Sequence, residues 1–556
     1  MKIIHKKNII VFLLIGVAFI FTSGCRPSGP QADRVFYNGT VYTMDSAFSI
    51  HTGFAVRDGK IIATGSDKEM LAYNAKTKTD LKGKFVYPGF QDAHCHFYGY
   101  GDDLKKIWLI GTPSFSAILD TLKNNKSKQI GGWIFGRGWD QNDWDKKVYP
   151  DKAKLDSLFP SIPVFLLRID GHAALVNQMA LDAAGITTDT KISGGEITQV
   201  NGKLTGLLID NAVDLVYKII PVPSKAEKIT SLLAAQKNCF EVGLTSVTDA
   251  GIESTGLKSD LISLIDSLQK TDALKMRINA MAAIEEFEHY KSSGKIRTNS
   301  LNVQSFKLYA DGSMGSRGAC MLKPYSDQPG HSGFLLHSPE YLDSLAKLVA
   351  SIGFQLNTHC IGDSSQRLML QIYEKYTQGL PDHRWRIEHA QVINLADTIY
   401  YKRNHVIPSM QPTHATSDMY WAEDRVGSER IKGAYALKTL MDQNGIIAAG
   451  SDFPVEGINP LFGFYAAVSR KDQKGFPENG FQKENALTRE QALKAMTIWA
   501  AYAAFNESLT GSLEKGKFAD FVILEEDLMK VPEEKLWQLK VETTFIGGTQ
   551  VFQRGE

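Results

Sequence analysis

Residues 91–97 read Gln-Asp-Ala-His-Cys-His-Phe and close an apolar run that begins near Tyr87. Side chains alternate along a strand, so His94 and His96 share one face and Cys95 takes the other. Two imidazoles on one face can hold a divalent ion; two solvated or hydrogen-bonded histidines would read the same way. The fold turns on whether other apolar runs end alike. Lys307 lies in SFKLYADGS (305–313), His359 in LNTHCIGD (356–363), His389 in WRIEHAQ (385–391) and Asp452 in AAGSDFPV (448–455). Each polar group stands where an apolar run stops.

Working outward, eight runs have strand character: 87–96, 242–250, 275–284, 303–311, 354–362, 385–391, 407–414 and 446–454. Helix-like stretches such as LDSLAKLVASIG (342–353) and REQALKAMTIWAAYAAF (489–505) fall among the later runs. Strand and helix in repetition predict parallel βα units, and eight of them predict an α/β fold of the TIM (β/α)8 type. Such barrels place functional groups at the C-terminal ends of their strands. That is where His94, His96, Lys307, His359, His389 and Asp452 stand. Such a set is hard to assign to packing, and its nitrogen and oxygen donors suit zinc or a similar first-row ion. The first two runs are too far apart for one crossover, so an insertion is expected at about 100–230, within a barrel spanning 87–505.

Both ends read differently. Residues 34–86 hold short β segments with hairpin signals at Asn38-Gly39 and Asp58-Gly59. Residues 506–556 repeat the style, and the two together predict one small β-sandwich domain. Before them, Lys2, Lys6 and Lys7 precede an apolar run from Ile9 to Phe21. That run is short for a membrane span and fits a secretory signal over 1–24. Ser23 and Gly24 then lead into Cys25, as in a bacterial lipobox, although Thr22 replaces the usual leucine. The expectation is an exported lipoprotein of a bacterial cell envelope, lipidated on Cys25 and tethered to the membrane by 25–33. Cys95, Cys239, Cys320 and Cys360 are widely spaced in apolar text and are read as buried free thiols.

Composition narrows the classes. The chain has 556 residues, 43% of them hydrophobic and 22% charged, with a net charge of +1. It can bury a large core and is not disordered. Without a basic stripe, nucleic acid is not an expected partner. The sequence leaves oligomeric state open, a homo-oligomer included.

The motifs PGFQDAHCH (88–96), FKLYADGSMGS (306–316), NTHCIGD (357–363), IEHAQ (387–391) and GSDFPV (450–455) resemble those of the amidohydrolase superfamily. The branch they resemble is amidohydrolase family 3, which contains N-substituted formamide deformylases. GRGWDQNDW (136–144), RIDGHAALVN (168–177), PSMQPTHATSD (408–418) and GSLEKGKFADFVIL (511–524) extend the resemblance over nearly the whole mature chain. It implies one ion on His94 and His96, a second on His359 and His389, and a carboxylated Lys307 between them. It makes Asp452 a metal ligand and the proton carrier. The cofactor is thus one or two divalent ions, zinc first.

The implied activity is hydrolysis of a non-peptide carbon–nitrogen bond in a small amide, formamide or cyclic amide by attack of metal-bound hydroxide. Ester hydrolysis, deamination or isomerisation on the same fold, or an inactive lipid-anchored binding protein, are the alternatives. Around the substrate, His172, Trp139, Asp140, Arg317, His414 and Asp418 are the candidate contacts.

Overall fold

The computed structural model describes residues 29–251 and 256–555. The signal segment and Cys25 lie outside the described residues. Eight strands form the centre: β1 (Phe90–Cys95), β2 (Leu244–Asp249), β3 (Arg277–Ala283), β4 (Leu301–Tyr309), β5 (Gln355–Cys360), β6 (Arg386–His389), β7 (Ile407–Met410) and β8 (Ala448–Ala449). Each pairs in parallel with the next. The ring closes just past β8. Asp452 N–H donates to the His94 carbonyl at 2.8 Å, and His96 N–H donates to the Phe453 carbonyl at 2.9 Å. The closure therefore runs through the candidate site itself. Every one of the eight apolar runs holds a strand, as a TIM barrel requires.

The helices outside the barrel follow their apolar periodicity. Helix Pro339–Ser351 buries Leu342, Leu345, Ala346 and Val349, a stripe three and four residues apart, and Ser338 caps its N-terminus. The stretch 489–505 is two helices, Arg489–Ala495 and Ile498–Ala503, not one. Thr497, at φ −139° and ψ −96°, breaks it.

A six-stranded sheet is inserted after β1. Its spatial order is 195–200, 203–210, 173–176, 164–168, 134–139 and 107–108. It has apolar clusters of its own on both faces, so it is a body set beside the barrel mouth. The barrel resumes with helix Lys225–Glu241, whose Ser224 and Glu227 form a capping box.

Two further sheets make the β-sandwich. One holds 31–37, 53–57, 60–65 and 74–80; the other joins 40–42, 50–51 and 85–88 to 521–524, 541–546 and 549–553. Phe521 pairs with Pro88 and Leu524 with Phe85, so both chain ends share one sheet. Phe36 stacks on Phe54 and Phe521 on Phe545 in its core, and the two pairs meet edge to face. Asp58-Gly59 makes the expected hairpin. Asn38-Gly39 does not. It turns the chain from one sheet into the other, where Gly39 packs against Leu81 too closely for a side chain. The first strand begins at Gln31, so part of the stretch read as tether is paired backbone, held by strand 74–80. Cys95, Cys239, Cys320 and Cys360 are all free thiols, the first two and Cys360 buried. Among the described residues no helix is long and apolar enough to cross a membrane.

Candidate metal centre

Alternation on β1 does what the sequence predicts. His94 and His96 face the barrel axis, while Cys95 turns away and donates its thiol hydrogen towards the Thr248 carbonyl. Asp452 reaches them from the turn after β8, with its backbone in the left-handed region at φ 62°. His94 Nε2, His96 Nε2 and an Asp452 carboxylate oxygen lie within 4.8 Å of one another. The separations from Asp452 Oδ1 are 3.4 Å to His94 and 3.1 Å to His96. Both imidazole nitrogens thus crowd one buried carboxylate oxygen, which has no hydrogen bond of ordinary geometry among the described residues. Three donor atoms therefore share one small region. A divalent ion satisfies such a set at once, so these residues fit one.

The other strand ends surround this trio. Lys307 Nζ from β4 is 3.5 Å from His94 Nε2. The His359 ring from β5 is 4.5 Å from the His389 ring of β6, which is 4.8 Å from the His94 ring. His389 follows Glu388 directly, so alternation alone would aim the two side chains apart. Left-handed backbone at His389 (φ 70°) and Ala390 (φ 45°) ends the strand and redirects the imidazole. Such conformations cost about 1–3 kcal/mol each and persist where the surroundings impose them. Left-handed backbone thus falls on two of the candidate ligands, His389 and Asp452.

The electrostatics suit metal donors. Burial lowers His94 to about 4, with help from the nearby Lys307 charge, and holds His359 and His389 well below the usual histidine range. Burial opposes charge on Asp452, but His96, His389 and His94 overcome it and keep the carboxylate ionised. Burial likewise opposes a proton on His96, and Asp452 draws one there regardless. A cation would displace that proton. Burial brings Lys307 down to about 8, which makes its neutral amine accessible near neutral pH.

A cavity of about 270 Å³ opens over these groups. The inserted sheet supplies its far wall. His172 reaches in from that sheet, its Nδ1 hydrogen-bonded to Asp210 at 2.6 Å and its ring 5.0 Å from His359. Burial works against charge on His172, but Asp210 raises it to about 9. Side chains at Gly312 or Gly318 would collide with the Asp210 carboxylate. The glycines of the loop after β4 thus make room for the carboxylate that orients His172.

Residues 78–552 match the family model described as "Amidohydrolase family". The chain belongs to the amidohydrolase family. This amidohydrolase is similar to Protein LONG AFTER FAR-RED 3 of Arabidopsis thaliana, at 32% identity over 98% of the chain and 97% of the relative. It is also similar to the N-substituted formamide deformylase of Arthrobacter pascens, at 25% identity over 94% and 98% of the two chains. Among solved structures it resembles an uncharacterized metal-dependent hydrolase from Pyrococcus horikoshii OT3. That match has 28% identity and a TM-score of 0.73, and covers 90% and 99% of the two chains. The chain is a hydrolase of a metal-dependent family.

The remaining candidates divide. His414 lines the amidohydrolase's cavity, 3.8 Å from Asp452 Oδ2, and among the described residues its Nε2 has no hydrogen-bond partner. Asp418 lines it too, accepting hydrogen bonds from Gln391 and Tyr435. Asp140 is on the rim, tied to the buried Arg168 guanidinium. Two expectations fail. Trp139 is 1% exposed, and its indole N–H donates to the Leu166 carbonyl inside the inserted sheet. A bulge at Gly138 shifts the register, so Trp139 lands on the face opposite Arg137, which does line the cavity. Arg317 leaves its loop through left-handed backbone (φ 62°) and pairs with Asp327, away from the cavity.

Sequence reasoning missed the supports. Glu388 is fully buried, accepts a short hydrogen bond from His94 Nδ1, and pairs with Arg386. Burial opposes its charge; Arg386 and then His94 hold it down to about 2. Gln411 accepts from His389 Nδ1 at 2.9 Å. A signal for Glu388 existed, since Arg386 and Glu388 are two apart on a barrel strand and must share a face.

Proposed function

We propose that this amidohydrolase hydrolyses a carbon–nitrogen bond outside peptides, in an amide, formamide or cyclic amide of small size, with the help of a divalent metal. The observation that carries this reading is the convergence of His94, His96 and Asp452 beneath the cavity. The likeness to an N-substituted formamide deformylase supports the bond type.

His94, His96 and Asp452 would hold one ion; His359 and His389 would hold a second. A bound divalent ion of this kind acidifies a water and polarises a carbonyl. Lys307 serves as a ligand only once modified. Its neutral amine adds to carbon dioxide, forming a nitrogen–carbon bond and losing one proton to solvent, and the product is an anion with two oxygen donors. Burial favours the neutral amine that this addition needs. Asp452 takes the proton of the attacking water and returns it to the departing nitrogen. His172, fixed through Asp210, faces the substrate from the opposite wall, and His414 flanks Asp452.

At the other end of the chain, Cys25 would carry a lipid that anchors the exported enzyme, a reading that rests on residues 1–25 alone. Cys25→Ala should then release the protein from the membrane fraction of its host; retention there would contradict it. The enzymatic reading is tested by a zinc- and manganese-supplemented screen of N-acyl amines, formamides, lactams and esters, with Asp452→Asn as the blank. Turnover of a carbon–nitrogen substrate by the wild type alone is the expected result. Turnover of esters only would overturn the bond assignment.

A further inference from the structure

His94 is gripped at two points by a pair of charged residues buried inside the barrel. Arg386 and Glu388 lie two apart on β6 and so point to the same, inward face; both are fully buried. Glu388 Oε2 accepts from His94 Nδ1. Arg386 pairs with that carboxylate: Nη2 donates to Oε2 at 3.0 Å, and Nε lies 2.7 Å from Oε1 as an ion pair without hydrogen-bond geometry. The same guanidinium donates to the Ala93 carbonyl at 2.6 Å and to Ser409 Oγ on β7 at 2.7 Å. Arg386 thus fixes the main chain just before His94, while Glu388 fixes the ring.

We propose that Arg386 and Glu388 are positioning residues for His94, holding its proton on Nδ1 and turning the Nε2 lone pair towards the metal site. This rests on the metal reading above. The geometry behind it is direct. With Nδ1 committed to Glu388, Nε2 is the ring atom left facing Asp452 Oδ1 and Lys307 Nζ. Ligand imidazoles commonly donate their other N–H to a carboxylate, which sets the tautomer and raises ligand basicity. A buried ion pair is weak evidence of stability, because desolvating both charges offsets their attraction. A brace for the barrel could be apolar and need not end on the Nδ1 of a candidate ligand. Arg386 tethers β1, β6 and β7 at the level of that ligand, so the carboxylate cannot rotate off the ring without breaking the tether.

The test uses the full chain, stripped with a chelator and titrated with zinc or cobalt alone. Glu388→Gln should bind either ion about 10–100-fold more weakly than the wild type. The visible absorption bands of its cobalt form should also be altered. Because removing one partner of a buried pair can unfold a protein, Glu388→Asp is the second variant. It keeps the charge opposite Arg386 but draws the carboxylate back from Nδ1, and it should weaken binding in the same direction. Wild-type affinity and wild-type cobalt bands in Glu388→Asp, even with a lowered melting temperature, would make the pair a structural brace and overturn the proposal. A wild type that binds neither ion would instead overturn the metal reading on which it stands.

Discussion

At the residue scale, side chains that a motif lumps together have separate tasks. Asp452 holds metal and moves a proton, so Asp452→Asn is expected to retain most bound ion while losing about 10²–10⁴-fold in turnover. Full turnover in that variant, measured beside its metal content, would contradict the assignment. Asp210 acts on His172, which gives a pH signature. Folding raises His172 from 6.5 to about 9, so its charged form favours the folded state. That stability is fully present below pH 6.5 and is lost as pH rises through about 9. Asp210→Asn should therefore melt well below the wild type at pH 6.5, and the gap should narrow towards pH 9.5. A gap that stays constant in thermal melts would remove the pair. The residues legible in advance were those at strand ends, because strand alternation and barrel geometry place them without further information. Glu388 and Asp210 were not found, since their roles depend on partners distant in sequence.

At the element scale, the barrel strands were readable because each is a buried apolar run with turn residues beyond it. The inserted sheet was readable only as a gap too long for a crossover. Its internal detail hides in local irregularities such as the bulge at Gly138, which reverses the facing of Trp139. Trp139 is accordingly core, and Trp139→Ala should cost about 3–5 kcal/mol of stability. Limited proteolysis within 107–210 should report it; an unchanged cleavage pattern would contradict this. Arg317 makes its visible ion pair with Asp327 at the loop surface. Arg317→Ala should leave substrate affinity unchanged, in contrast to His172→Ala, and a raised KM in the Arg317 variant would return it to the pocket.

At the scale of the whole molecule, two bodies meet at the site and a third holds the barrel from below. The barrel brings the ligands, its last turn closes through Asp452 and His94, and the inserted sheet covers the mouth with His172. The sandwich built from both ends pins the base of the barrel, where Arg277 pairs with Asp520. The claim that unites these is that a divalent ion belongs where His94, His96 and Asp452 converge. Elemental analysis of the full-length chain, purified without chelator, tests it most directly, run beside His94→Ala and His96→Ala. The expected result is about one to two transition-metal ions per chain in the wild type and a clear loss in both variants. A metal-free wild type that takes up neither zinc nor manganese on addition would contradict it.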